Sequence, residues 1–247
     1  MNIFDNPFFI LEVSMRDNRQ QIISAAEDKI FMDESKSQLV NQARNTLIIP
    51  EKRLAAELRW FPGIDEGRIK ALIKFFRGDK SSKLNISDFR NIALLNIAVY
   101  IFRTWRFKTL NDILNSILAA GKCFETIKAD ELCRIINRDR ASAGFQQVSI
   151  SELERGLYDY RSDVVKVIDN RVSVLSQSKY IELAEELAGK YAHEAAYQDS
   201  VIINDLIDSC ELRIMPGLES QQQMILDELN NICINPERNS TQYIIKH

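Results

Sequence analysis

The chain has 247 residues, 45% of them hydrophobic and 27% charged, with only 8 glycines and 5 prolines. That length can bury a substantial core, and the composition is ordinary for a soluble globular protein. The most apolar run, Ile92 to Phe102, contains Asn96 and is far shorter than the roughly 20 residues of a spanning helix, so no membrane segment is expected.

Net charge is −3. It is unevenly spread: −1 over residues 1–63, +6 over 64–140 and −8 over 141–247. The opening "MNIFDNPFF" has neither a basic region nor an apolar run ending in small residues, so no secretory leader is expected. Cys123, Cys133, Cys210 and Cys233 form no C-x-x-C pair and read as reduced thiols of a cytoplasmic protein. Apolar spacing of three and four dominates, which predicts an all-α chain.

Asn6 and Pro7 lead into a short helix bearing Phe8, Phe9, Leu11 and Val13. After the polar connector at 16–19, capped by Asp17 or Asn18, Ile22, Ile23, Ala26 and Ile30 recur at helical spacing. A polar break follows at Asp33–Ser37. A third helix then places Leu39, Val40, Ala43 and Leu47 on one face. Pro50 opens a fourth, with Leu54, Leu58 and Phe61 aligned before Pro62 and Gly63 end it. Residues 1–63 therefore read as a small helical-hairpin module.

"NPFFILEV" at 6–13 and "VNQARNTLIIPEKR" at 40–53, at compatible spacing, resemble the J-domain family, whose members stimulate DnaK-type chaperone ATPases. The resemblance covers about a quarter of the chain. It implies two longer helices flanked by short ones, and a partner-facing side built from Lys29, Asp33, Glu34, Ser35, Lys36, Arg44 and Arg53. The chain departs from the family where it matters. Glu34, Ser35 and Lys36 occupy the place of the His-Pro-Asp tripeptide, and Glu27 and Asp28 precede a single Lys29 where the family carries a basic patch. Reversed charge at such an interface rejects an acidic partner, so the scaffold is expected without the stimulating switch.

Residues 64–247 read as a multi-helix bundle or a short solenoid of helical hairpins. Ile69, Leu72, Ile73 and Phe76 face one way on the first helix. Ser87 is expected to cap a second, running to Trp105. Thr109 with Asp112 opens a third, which Gly121 is expected to close. A helix over 129–138, a loop near 141–149 marking a possible internal boundary, and a Ser151–Glu154 capping box for a helix to Val174 follow. The remaining helices are expected at 180–195, 200–215 and 219–233, with Pro216 and Gly217 separating the last two and a loosely held C-terminus after them.

Two histidines, His193 and His247, are too few for a metal cluster or a Ser-His or Cys-His pair, and no phosphate-cradling glycine motif is present. No catalytic residue, metal or cofactor is expected. The favoured expectation is a cytoplasmic, non-enzymatic adaptor that docks a protein partner, such as a DnaK-type chaperone or a diverged relative. The alternative is nucleic-acid association through Arg68, Lys70, Lys74 and Arg77, extended by Lys80 and Lys83 and by the aromatic-basic stretch at 103–108. The same basic middle could instead face the acidic C-terminal region, within one chain or between two. Trp60–Phe61 and Trp105–Phe107 are further candidate anchors.

Overall fold

A computed structural model of the chain describes residues 2–79 and 89–234. Among the described residues there is no strand, and the fold is all-α. The helices are α1 Pro7–Leu11, α2 Arg19–Met32, α3 Ser37–Ile48, α4 Pro50–Leu58, α5 Glu66–Phe76, α6 Asn91–Thr104, α7 Leu110–Glu125, α8 Ala129–Ser142, α9 Ile150–Val172, α10 Gln177–His193 and α11 Val201–Ile234. Met1–Asn204 form one compact unit and Asp205–His247 a second. In the second unit the described residues continue α11, with Leu206 and Cys210 buried and Leu212, Met215, Met224, Ile225 and Leu226 exposed.

Local signals set the first helices. Asn6 caps α1 by accepting from the Phe8 N–H, with Pro7 at the first helical position. Asn18 and Gln21 form a reciprocal capping box at the start of α2. α2 and α3, joined by a single 3-10 turn at Glu34–Lys36, pack as a hairpin against α1 and bury Ile22, Ala26, Val40, Ala43 and Leu47. Leu39 was expected on that face but is 47% exposed, because it sits to one side of the buried stripe 40–43–47.

The boundary expected after Gly63 does not separate two cores. One hydrophobic cluster joins Phe8, Ile22, Leu47 and Phe61 to Leu72, Phe89, Ile97, Tyr100, Ala143 and Phe145. The loop near 141–149 supplies two of those residues, so it too lies within a continuous core.

α4 is the hub of this unit. Its C-terminal carbonyls, which no helical N–H can reach, are met by two buried asparagines. Asn6 Nδ2 donates to the carbonyls of Ala56 and Arg59 at 3.0 and 3.1 Å. Asn96 Nδ2 donates to those of Leu58 and Trp60 at 3.0 and 2.5 Å, and its Oδ1 accepts from the Tyr160 hydroxyl at 2.9 Å. Burial pushes the Tyr160 phenol far above its ordinary range, so it acts only as a neutral donor.

Three later expectations shift in detail. The capping box of α9 is Ser149–Glu152, two residues earlier than expected. Asn137 grips Val148 from both sides, accepting from its N–H at 2.8 Å and donating to its carbonyl at 2.9 Å, and this fixes where the helix starts. Gly121 does not end α7, which runs on to Glu125. A Cβ there would sit 2.8 Å from Ser200 Oγ and 3.2 Å from Ile203, so the glycine lets the start of α11 approach closely. Pro216 does not break α11 but lies inside it. Its neighbours are exposed, so water can reach the carbonyl that loses its helical partner. The expected cap at Ser87, Lys80, Lys83 and the segment from residue 235 onward lie outside the described residues.

Candidate functional site

Buried charge removes one expected site residue from the surface. Arg53, Glu57 and Arg140 are 0%, 0% and 1% exposed. Arg53 Nε donates to Glu57 Oε1 at 2.8 Å within α4, and Arg140 from α8 reaches Glu57 Oε2 at 2.8–2.9 Å. Two guanidiniums and one carboxylate leave a surplus positive charge. Four carbonyls absorb it: those of Leu47 and Met15 accept from Arg53, and those of Gln146 and Pro50 accept from Arg140. Arg53 also stands 4.0 Å from the centre of the Phe145 ring and 5.2 Å from that of Phe8. Burial lowers its pKa, the Glu57 carboxylate opposing that shift, yet a guanidinium stays charged at any physiological pH. Arg53 is therefore a structural staple between α4 and the loop after α8, and its expected place on the partner-facing side is withdrawn.

The rest of that expected side divides. Arg44 lies eight residues beyond Lys36 on α3, about 12 Å along the axis, half-buried, and among the described residues its side chain bonds Asn45 alone, at 3.4 Å. Lys29 pairs back onto Glu12 at 3.0 Å and is mostly covered. Asp33, Glu34, Ser35 and Lys36 do form one exposed tip. Asp33 Oδ1 accepts from the Ser35 N–H and hydroxyl, at 3.2 and 2.5 Å, and Asp33 Oδ2 pairs with Lys36 Nζ at 2.7 Å. The Lys36 ammonium, then Ser35, hold the Asp33 carboxyl below its ordinary range, and Asp33 in turn raises Lys36. Glu34 has no ion-pair partner among the described residues.

Beside this turn stand two side chains that the sequence reading passed over. Phe31 is 93% exposed and Met32 82%. With a 100° step per residue, Phe31 falls directly opposite Ile22 on α2, while Glu27 and Asp28 sit one turn below on the same outer face. Both carboxylates are exposed and lack an ion-pair partner among the described residues. The tip is thus a pair of bare apolar side chains framed by Glu27, Asp28 and Glu34. The signal was present: an aromatic out of phase with the helix's own core stripe.

The basic residues of α5 do not form a single stripe. Lys70, Lys74 and Arg77 share a face, but Arg68 projects from the opposite one. Lys70 lies 3.9 Å from Glu66, and the Arg77 guanidinium stands 5.2 Å from the Phe9 ring centre and 5.9 Å from that of Phe4. Trp60 and Phe61 are core residues, whereas Trp105 is 61% exposed. Among the described residues no group of His, Cys, Asp and Glu is arranged to hold a metal, and no helix is long and apolar enough to cross a membrane. Compared with family models, curated proteins and solved structures, the chain matches none.

Proposed function

We propose that this chain is a non-enzymatic adaptor that docks a partner protein through the tip of the α2–α3 hairpin. The observation that carries the reading is Phe31 and Met32 standing almost fully in solvent between unpaired carboxylates. Large apolar side chains in that state are the usual anchors of protein interfaces, where each contributes about 2 kcal/mol when it enters a pocket. The acidic frame selects a partner whose pocket has a basic rim.

The J-like arrangement fits the same reading. A short capped helix, a hairpin of 14- and 12-residue helices and a following short helix occur in the order the resemblance implies. In this proposal the module keeps the scaffold, lacks ATPase stimulation, and meets either a DnaK-type chaperone with a basic docking surface or another basic partner.

Affinity capture from the protein's own cell extract, with wild type and the Phe31→Ser/Met32→Ser variant in parallel, tests it. One or more proteins retained by wild type and lost from the variant are expected. An identical set from both would overturn the reading.

A further inference from the structure

The face of α4 remote from the buried arginines meets α9 across an open cleft of about 600 Å³. From α4 and its C-cap the cleft takes Lys52, Ala55, Ala56 and Arg59; from α9 it takes Asp163, Lys166, Val167 and Asn170. Both sets have the spacing i, i+3, i+4, i+7, so each is one helix face turned toward the other. Nearer the start of α9 the two helices close tightly, where a Cβ on Gly156 would come within 2.9 Å of Leu58.

The charges in this cleft do not cancel. Arg59 is satisfied by the Asp163 carboxylate and by the Ala55 carbonyl. Lys52, Lys166 and, from α6, Arg103 are exposed and have no ion-pair partner among the described residues. Among the described residues, Asp5 is the one other carboxylate of the lining. Three free cations against one carboxylate leave a net charge of +2 in a chain whose total is −3.

We propose that this cleft binds a small, multiply charged anion of the phosphate class. Its volume suits a small molecule, and its walls offer cations from three different helices that a single ligand can bridge. Two or more linked phosphates would engage Arg103, Lys166 and Lys52 together, with the Asn170 amide and the Arg59 guanidinium at the margins. A single phosphate would reach fewer of them. The guanidinium of Arg103 can take a phosphate edge-on through two N–H groups, while the lysines act as point charges. This binding is independent of the hairpin tip.

The test is titration calorimetry of the full chain with pyrophosphate and with orthophosphate, at about 0.1 M ionic strength to limit non-specific attraction. Arg103→Glu/Lys166→Glu is titrated in parallel. Both residues are exposed and unpaired, so melting curves should match wild type. Pyrophosphate is expected to bind wild type at least about tenfold more tightly than orthophosphate does, and to weaken at least about tenfold in the variant, since each lost charge-assisted contact is worth on the order of a factor of ten. No saturable heat with pyrophosphate would overturn the proposal. So would equal affinity for the two anions, or an affinity the variant leaves unchanged.

Discussion

The buried middle of α4 and the tip of the α2–α3 hairpin use similar residues in opposite ways. In α4, Arg53 and Glu57 stand four residues apart, as they would on any solvated helix, yet both are sealed from water, and every polar reach is answered by Arg140 or a backbone carbonyl. At the tip, Glu27, Asp28 and Glu34 stand in solvent with no ion-pair partner among the described residues, beside the exposed Phe31 and Met32. A satisfied buried network fixes one arrangement of α4 and α8 and has no capacity left for a partner. Carboxylates without ion-pair partners around bare apolar side chains bury little on folding, and in the proposed reading they are left for a partner to cover.

The contrast can be broken most severely at Glu57. Glu57→Gln leaves two buried guanidiniums facing each other with no counter-charge, and we expect a loss of about 3–5 kcal/mol. Urea unfolding should show it, with a fall in Tm of roughly 10 °C for a chain of this size. Asn96→Ala should come next, at about 2–3 kcal/mol, because it strands the carbonyls of Leu58 and Trp60 and the hydroxyl of Tyr160. Phe31→Ser/Met32→Ser should change stability by less than about 0.5 kcal/mol while abolishing capture of the partner.

Acid sharpens the comparison further. Thr109 holds the Asp112 carboxyl below its ordinary range, as Ser149 does for Glu152 and Lys36 for Asp33. A carboxyl lowered on folding adds stability that is present above its unfolded pKa and is lost as pH falls through the folded one. Melting temperature should therefore decline below about pH 4, and Asp112→Asn with Glu152→Gln should flatten that decline slightly.

The sequence was most legible where structure is decided locally. Asn6–Pro7, Asn18, Pro50 and the Thr109–Asp112 box need only their near neighbours, and each helix begins where those residues imply. Legibility failed where a distant residue decides. Gly121 reads as a helix end until Ser200 and Ile203 are seen against it. Two overlapping S-x-x-E boxes compete at the start of α9, and Asn137 chooses between them. Arg53 looks like a surface cation because the carbonyls and rings that receive it come from residues 8, 15, 47 and 145. Of the expected docking side, residues 33–36 form an exposed tip, but its two exposed apolar side chains required comparing the phase of Phe31 with that of Ile22 and Ala26.

The most direct test of the docking surface is site-specific photocrosslinking in cells, with a benzophenone side chain at position 31 and, as control, at Tyr158. That tyrosine is 62% exposed on α9 and belongs to neither site. The account predicts discrete crosslinked partners from position 31 and none of them from position 158. Silence at position 31, or the same products from both positions, would contradict it.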